Sequence, residues 1–460
     1  MLEPRARHEP KEPSSCMYGS TECGPTTNIR FGVVLNFSMI ARVLARHRYM
    51  HDELPYRRLL EYAKALGPVW LATQRDVAHW WRMRNLARLK LEITGPNRLT
   101  ISTELPNGVV EVGGGELHTL PYSISVSADA RTDVKLPAPH SQQLVEFLEE
   151  LLRHLGYAHV HIGNPGTSSQ TLTDCLRDLY RHALQHQRYE PSLLKEVRKH
   201  IQDAHRAASL PDIRIWHWPA NNERAYRMAL SVRFDVDKAI VNLPLIHSLE
   251  ASFGLHSTVY LRPAGLFYGE REIRHYRLMN FPHEIALHGE FETTREILGS
   301  TSLAAANYEK ERLESFIGQE VFGVCMHGGE LRSNTTPETR LVVESAGFDY
   351  DTLFRNRYYL PLFIPTERGT RRTLSIGQHF ADISVPIDTH FTHHLTQAFK
   401  EHCDAAFAEG GVFVPVMHPL YFGVGSYLRH PTNMRRILTF LPRYIQLTGR
   451  LRKDQSYVNR

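Results

Sequence analysis

The sequence predicts an α/β fold: a parallel sheet in its second half, with a small β-rich part before it. Two patterns carry this reading. From Ile213 onward, short apolar runs (IRIWHWP, ALSVRFD, HSTVYLR, HEIALH, VFGVCM, GGVFVPVM) alternate with segments of helical spacing. That is the pattern of strands joined by crossover helices, in a sheet either open or closed into a (β/α) barrel. Between Leu89 and Val126 the apolar period is two, and the runs LKLEI, RLTIST, GVVEV and YSISVSA are separated by Gly-Pro-Asn, Pro-Asn-Gly and Gly-Gly-Gly. Such runs predict a small antiparallel sheet.

Composition narrows the function classes. A chain of 460 residues has room for two or three domains, and 42% hydrophobic with 22% charged residues is ordinary for a globular protein. The net charge of +5 comes from 54 basic against 49 acidic residues, which gives no case for a nucleic-acid partner. Five scattered cysteines with no CxxC exclude a disulfide framework. No apolar run reaches the ~18 residues of a membrane span. The first thirty residues lack the apolar centre of a signal peptide, so the expected location is the cytoplasm.

Taken in order, residues 1–29 read as a polar leader that offers little to bury. Residues 30–88 contain a helix–strand–helix unit: LPYRRLLEYAKAL stopped by Gly67-Pro68, the strand VWLAT, and the helix QRDVAHWWRMRNL. The antiparallel sheet occupies 89–127, and 128–141, with its turn residues and two prolines, reads as a linker. Residues 142–212 are helical, beginning with an amphipathic helix over 142–155 that stops at Gly156. Two sparser helices follow, with His182, His186 and His200 on their solvated faces. The parallel α/β domain spans 213–450.

Within that domain, ionisable residues fall at strand ends, where the mouth of an α/β sheet binds ligands. Asp235 and Asp237 close the strand SVRFDVD and can divide proton acceptance and metal ligation between them. His288 and Glu292 lie four apart after EIAL, so a helical turn there puts both on one face as ligands of a divalent ion. His327 follows VFGVCM. His418 follows VFVPVM, where an imidazole can donate a proton to a leaving group.

The order FDVD, HEIALHGEFE, GVCMHGG, GFDYDTL and FVPVMHP, spread over 213–445, resembles the polysaccharide deacetylase (NodB homology) family. The resemblance implies a distorted (β/α) barrel and a metal-dependent hydrolase that removes acetyl groups from an N-acetylated carbohydrate. Position by position it assigns Asp235 as base, Asp237 and His288 as metal ligands and His418 as general acid, with a divalent ion, zinc being the expected one. Three features depart from the family pattern: Glu292 stands where a second metal histidine is usual, Cys325 where an arginine orients the base, and Asp235 and Asp237 are spaced DxD where the family's acids are adjacent. His327 and Tyr421 are the expected substrate contacts, and the substrate is a carbohydrate. The alternative is a catalytically impaired module that binds carbohydrate without turnover. LLEYAKALGPVWLATQRDVAHWW also resembles the end of a second such domain, which makes 30–88 a remnant.

Overall fold

The computed structural model describes residues 54–221, 224–237, 240–263, 268–327, 337–353, 359–366, 369–384 and 391–419. The leader 1–29, the start of the segment that follows it, and Tyr421 lie outside them. The chain divides into two compact units, Met1–Arg48 and Tyr49–Arg460, and all the described residues belong to the second.

A nine-stranded half-barrel sheet organises this unit. Its strands, numbered in chain order, are β1 (Arg233–Asp235), β2 (Thr258–Leu261), β3 (Glu284–Gly289), β4 (Gly323–Met326), β5 (Tyr350–Asp351), β6 (Leu362–Thr366), β7 (Gly369–Ser375), β8 (Phe380–Ala381) and β9 (Pro415–Met417). The spatial order is β6-β7-β5-β4-β3-β2-β1-β9-β8. All neighbours are parallel except β6 and β7, which form an antiparallel hairpin at one edge.

Strand alternation divides the sheet into two buried faces. Phe234, Val259, Leu261, Ile285, Leu287, Val324 and Met417 pack with the helix residues Ile246, Ile273, Leu313 and Phe399 in one core. Tyr260, Ala286, Cys325, Tyr350 and Leu374 face the other way, into a second core shared with the N-terminal elements. Both faces are covered, so these strands read as continuous apolar runs. The polar side chains on the second face are the exceptions, and they make the site.

The N-terminal elements are joined to this sheet. Val69–Leu71 pairs in parallel with Met228–Leu230, the run that leads into β1, and Met228–Leu230 pairs on its other side with Val412–Phe413. The helix Gln74–Leu86 opens on a capping box between Thr73 and Asp76. Its first free N–H groups are taken up by the nine-stranded sheet: Gln74 N–H donates to Thr258 Oγ1 (2.8 Å) and Arg75 N–H to Glu284 Oε2 (2.9 Å). The helix Leu54–Ala65 is held by Tyr56, whose hydroxyl donates to the buried carboxylate of Glu250 (2.6 Å).

Two sequence expectations meet a different arrangement. Ile213–Ile215 is a strand, but it pairs antiparallel with Val109–Val112 of the small sheet instead of entering the parallel one. Inside the expected linker, Val134–Ala138 is a strand parallel to Val160–Pro165. Val134, Leu136 and Ala138 are buried on alternate positions, a period of two that Pro137 and Pro139 disguise in the sequence. The helix expected over 142–155 is Gln142–Leu155, ending on Gly156 with φ +89°.

Candidate active site

At the carboxyl end of β1, Arg233 and Asp235 point the same way because they are two apart on one strand. The Arg233 guanidinium forks onto Asp235, with Nε to Oδ1 at 2.6 Å and Nη2 to Oδ2 at 2.7 Å. Its remaining nitrogen Nη1 donates to Thr352 Oγ1 (2.6 Å), and the cation lies 4.8 Å from the centroid of the Tyr260 ring. Burial alone would raise the Asp235 pKa. The Arg233 cation, with help from His288 and His418, overrides that and holds it below the ordinary carboxylate value.

Asp237 continues the same alternation beyond the strand. Its Oδ1 lies 3.1 Å from His288 Nε2 and 3.4 Å from His327 Nε2. Asp237, His288 and His327 each offer a ligand atom, all within 4.8 Å of one another. Burial works against the Asp237 charge, but the His288 hydrogen bond and the nearby His418 and His327 hold it ionised well below the usual range. The His288 pKa is lowered as well, because burial disfavours its charged ring. The pair is therefore a carboxylate beside a neutral imidazole, the protonation states in which both can ligate a metal.

These spacings fit a divalent ion. Four ligands at zinc distances of about 2.0–2.2 Å in a tetrahedron lie roughly 3.3–3.6 Å apart, close to the 3.1 and 3.4 Å found here. The Asp237 side chain keeps 28% of its surface exposed, so the cluster opens to solvent on one side. The residues present could hold the group.

Glu292 does not join this cluster. Its carboxylate accepts from Ser302 Oγ (2.8 Å) and pairs with Arg295 (2.9 Å). The i,i+4 argument needs one helix over 288–292, but His288 is on β3 and the helix begins only at Phe291. The two side chains consequently leave the backbone in different directions. His327, placed among substrate contacts by the sequence reading, takes the position next to Asp237 instead. The backbone fixes it there, because its N–H donates to Gly289 O (2.9 Å).

Cys325 lies beneath the cluster, its Sγ 2.9 Å from His288 Nδ1 and 3.8 Å from Asp235 Oδ1. Burial pushes its thiol pKa well up. At this depth it is a neutral hydrogen-bonding partner of His288.

His418 follows β9, the neighbour of β1 on its other side, with Phe234 opposite Met417. Asp382, just past β8, accepts from both its Nδ1 (2.6 Å) and its backbone N–H (2.7 Å). Burial would lower the His418 pKa, yet Asp382, with Asp237 and Asp235 behind it, raises it to about 9. The ring is a cation at neutral pH and can give up a proton.

Asp235, Asp237, His288, His327 and His418 thus come together at one end of the sheet. Sequence reasoning missed Arg233 and Asp382. The R-x-D alternation was a usable signal for Arg233. Asp382 had none, since its partner is 36 residues away.

No family model and no curated protein matches the chain. Among solved structures it is similar to the polysaccharide deacetylase Bc1974 from Bacillus cereus, at 12% identity over 47% of this chain and 87% of that one, with a TM-score of 0.27. It is also similar to IcaB from Ammonifex degensii, at 10% identity over 58% of this chain and 97% of that one, with a TM-score of 0.24. A third is BA3943, a CE4 family pseudoenzyme from Bacillus anthracis, at 13% identity over 41% of this chain and 63% of that one, with a TM-score of 0.24.

Proposed function

We propose that this chain is a metal-dependent hydrolase that removes an acetyl group from an N-acetylated carbohydrate, on a distorted (β/α) barrel. The observation that carries the reading is the three-donor cluster of Asp237, His288 and His327, set between an ionised Asp235 and a cationic His418. A divalent ion such as zinc, once bound there, supplies Lewis acidity toward the amide carbonyl and toward water. Asp235, oriented by Arg233, accepts the proton of the attacking water. His418, oriented by Asp382, donates a proton to the departing amine nitrogen, so that amide and water become acetate and amine.

One observation favours a second reading, a module that binds carbohydrate without turnover. Both oxygens of Asp235 are engaged by Arg233, and its depressed pKa makes it a weak base. Elemental analysis of the purified protein, combined with acetate release from acetylated oligosaccharides, separates the two. The hydrolase reading expects one divalent ion per chain, lost in His288→Ala and retained in Glu292→Ala, with acetate released by the loaded wild type. Bound ion without acetate release favours the binding module, and a wild type that takes up no ion overturns the hydrolase.

A further inference from the structure

His327 owes its orientation to a polar arm outside the reacting groups. Its Nδ1 lies 2.7 Å from Oε1 of Glu290, and the other oxygen of that carboxylate is 2.6 Å from Nη2 of Arg262. Arg262 is buried at the end of β2, and the Glu290 side chain keeps only 19% of its surface. The Glu290 backbone is fixed as well, its N–H donating to Glu309 Oε2 (2.9 Å), and Glu309 also accepts from Thr294 Oγ1. Glu290 sits between Gly289, the last residue of β3, and Phe291, the first of the next helix, so neither neighbour leaves it slack.

This arrangement decides which nitrogen of His327 faces the site. An ionised carboxylate only accepts hydrogen bonds, and the Arg262 guanidinium, donating through Nη2, favours that form of Glu290. Nδ1–H of His327 then donates to Glu290, which turns Nε2, the atom 3.4 Å from Asp237 Oδ1, toward the site. An imidazole whose Nδ1–H is held by a carboxylate is the second-layer arrangement that supports metal-ligating histidines.

We infer that Glu290, pinned by Arg262, is a positioning residue that locks His327 as the third donor of a divalent-cation site with Asp237 and His288. The inference rests on the metal reading above and adds to it the residue that makes His327 competent. Glu290 touches neither ion nor substrate. Its effect is on affinity and tautomer, transmitted through His327.

Zinc affinity measured by chelator competition, together with the 15N tautomer pattern of histidine in the metal-free protein, tests it. The set is wild type, Glu290→Ala, Glu290→Gln, His327→Ala and His288→Ala. Glu290→Ala is expected to weaken zinc about 10–100-fold and to move His327 from the Nδ1–H toward the Nε2–H tautomer. Glu290→Gln keeps an acceptor for Nδ1–H, so it should restore the tautomer and most of the affinity, which also shows that loss in the alanine variant is not misfolding. If Glu290→Ala binds zinc within twofold of wild type while His327→Ala weakens it, the positioning role is overturned and the site stands. If His288→Ala loses zinc and His327→Ala does not, His327 is no donor and the inference falls. A folded wild type that takes up no zinc overturns the metal reading itself.

Discussion

Arg233 and Asp235 are two residues apart on β1 and face each other through two parallel hydrogen bonds of 2.6 and 2.7 Å, buried on the inner face of the sheet. An arginine delivered from the same strand orients the acid, and the position where the resemblance leads one to expect it, 325, is a cysteine. The small thiol and the long guanidinium are neighbours around one carboxylate, since Cys325 Sγ is 3.8 Å from Asp235 Oδ1.

Arg233→Met should leave Asp235 as an uncompensated buried charge, at a cost of about 3–5 kcal/mol. Arg233→Lys keeps the charge but loses the planar fork, and should fall between. Denaturant unfolding gives the values. Arg233→Met combined with Asp235→Leu should recover most of the loss, because neither member of the pair is then left as an unpaired buried charge. A single Arg233→Met within ~1 kcal/mol of wild type would contradict the pairing.

The His418 cation makes a testable pH dependence. Its folded-state pKa of about 9 lies above the ordinary 6.5, so its stabilising contribution is complete below pH 6.5 and is lost as pH rises through 9. Asp382→Asn should lower that pKa, removing the contribution already at neutral pH. The melting temperature of the variant should sit furthest below wild type between pH 5 and 7, converging with it above 9. For an active protein, the alkaline limb of the rate profile should move down by the same change. Parallel melting curves in that window would rule the ion pair out.

Gly323, the first residue of β4, is a packing necessity. A Cβ there would come within 2.0 Å of the Tyr350 ring, and Tyr350 cannot swing aside while its hydroxyl donates to Glu284 Oε1 (2.7 Å). Gly323→Ala should therefore destabilise the fold by about 1–3 kcal/mol. Pairing it with Tyr350→Phe, which frees the ring, should return part of the loss. Thermal unfolding of the two variants decides it.

Much of this was legible in the sequence because strand periodicity is a local property. The two acids at the end of SVRFDVD share one face in the structure, as alternation requires, and so do Cys325 and His327. The helix expected over 142–155 is Gln142–Leu155, since unbroken apolar spacing and a following glycine mark its extent. Where local pattern was ambiguous the reading failed for a physical reason. Four-residue spacing brings side chains together only within a helix, and β3 runs on through Gly289 before the helix begins.

Local strand patterning marks which residues lie at strand ends, and so which acids and imidazoles are available to a site. Their partners are set by how the strands pair across the sheet. Parallel pairing of β3 with β4 sets His288 opposite Cys325 and carries His327 past it toward Asp237, and pairing of β8 with β9 brings Asp382 to His418. Those contacts join residues tens of positions apart, and the register between strands is fixed by the packing of two buried faces, which no single run of the chain contains.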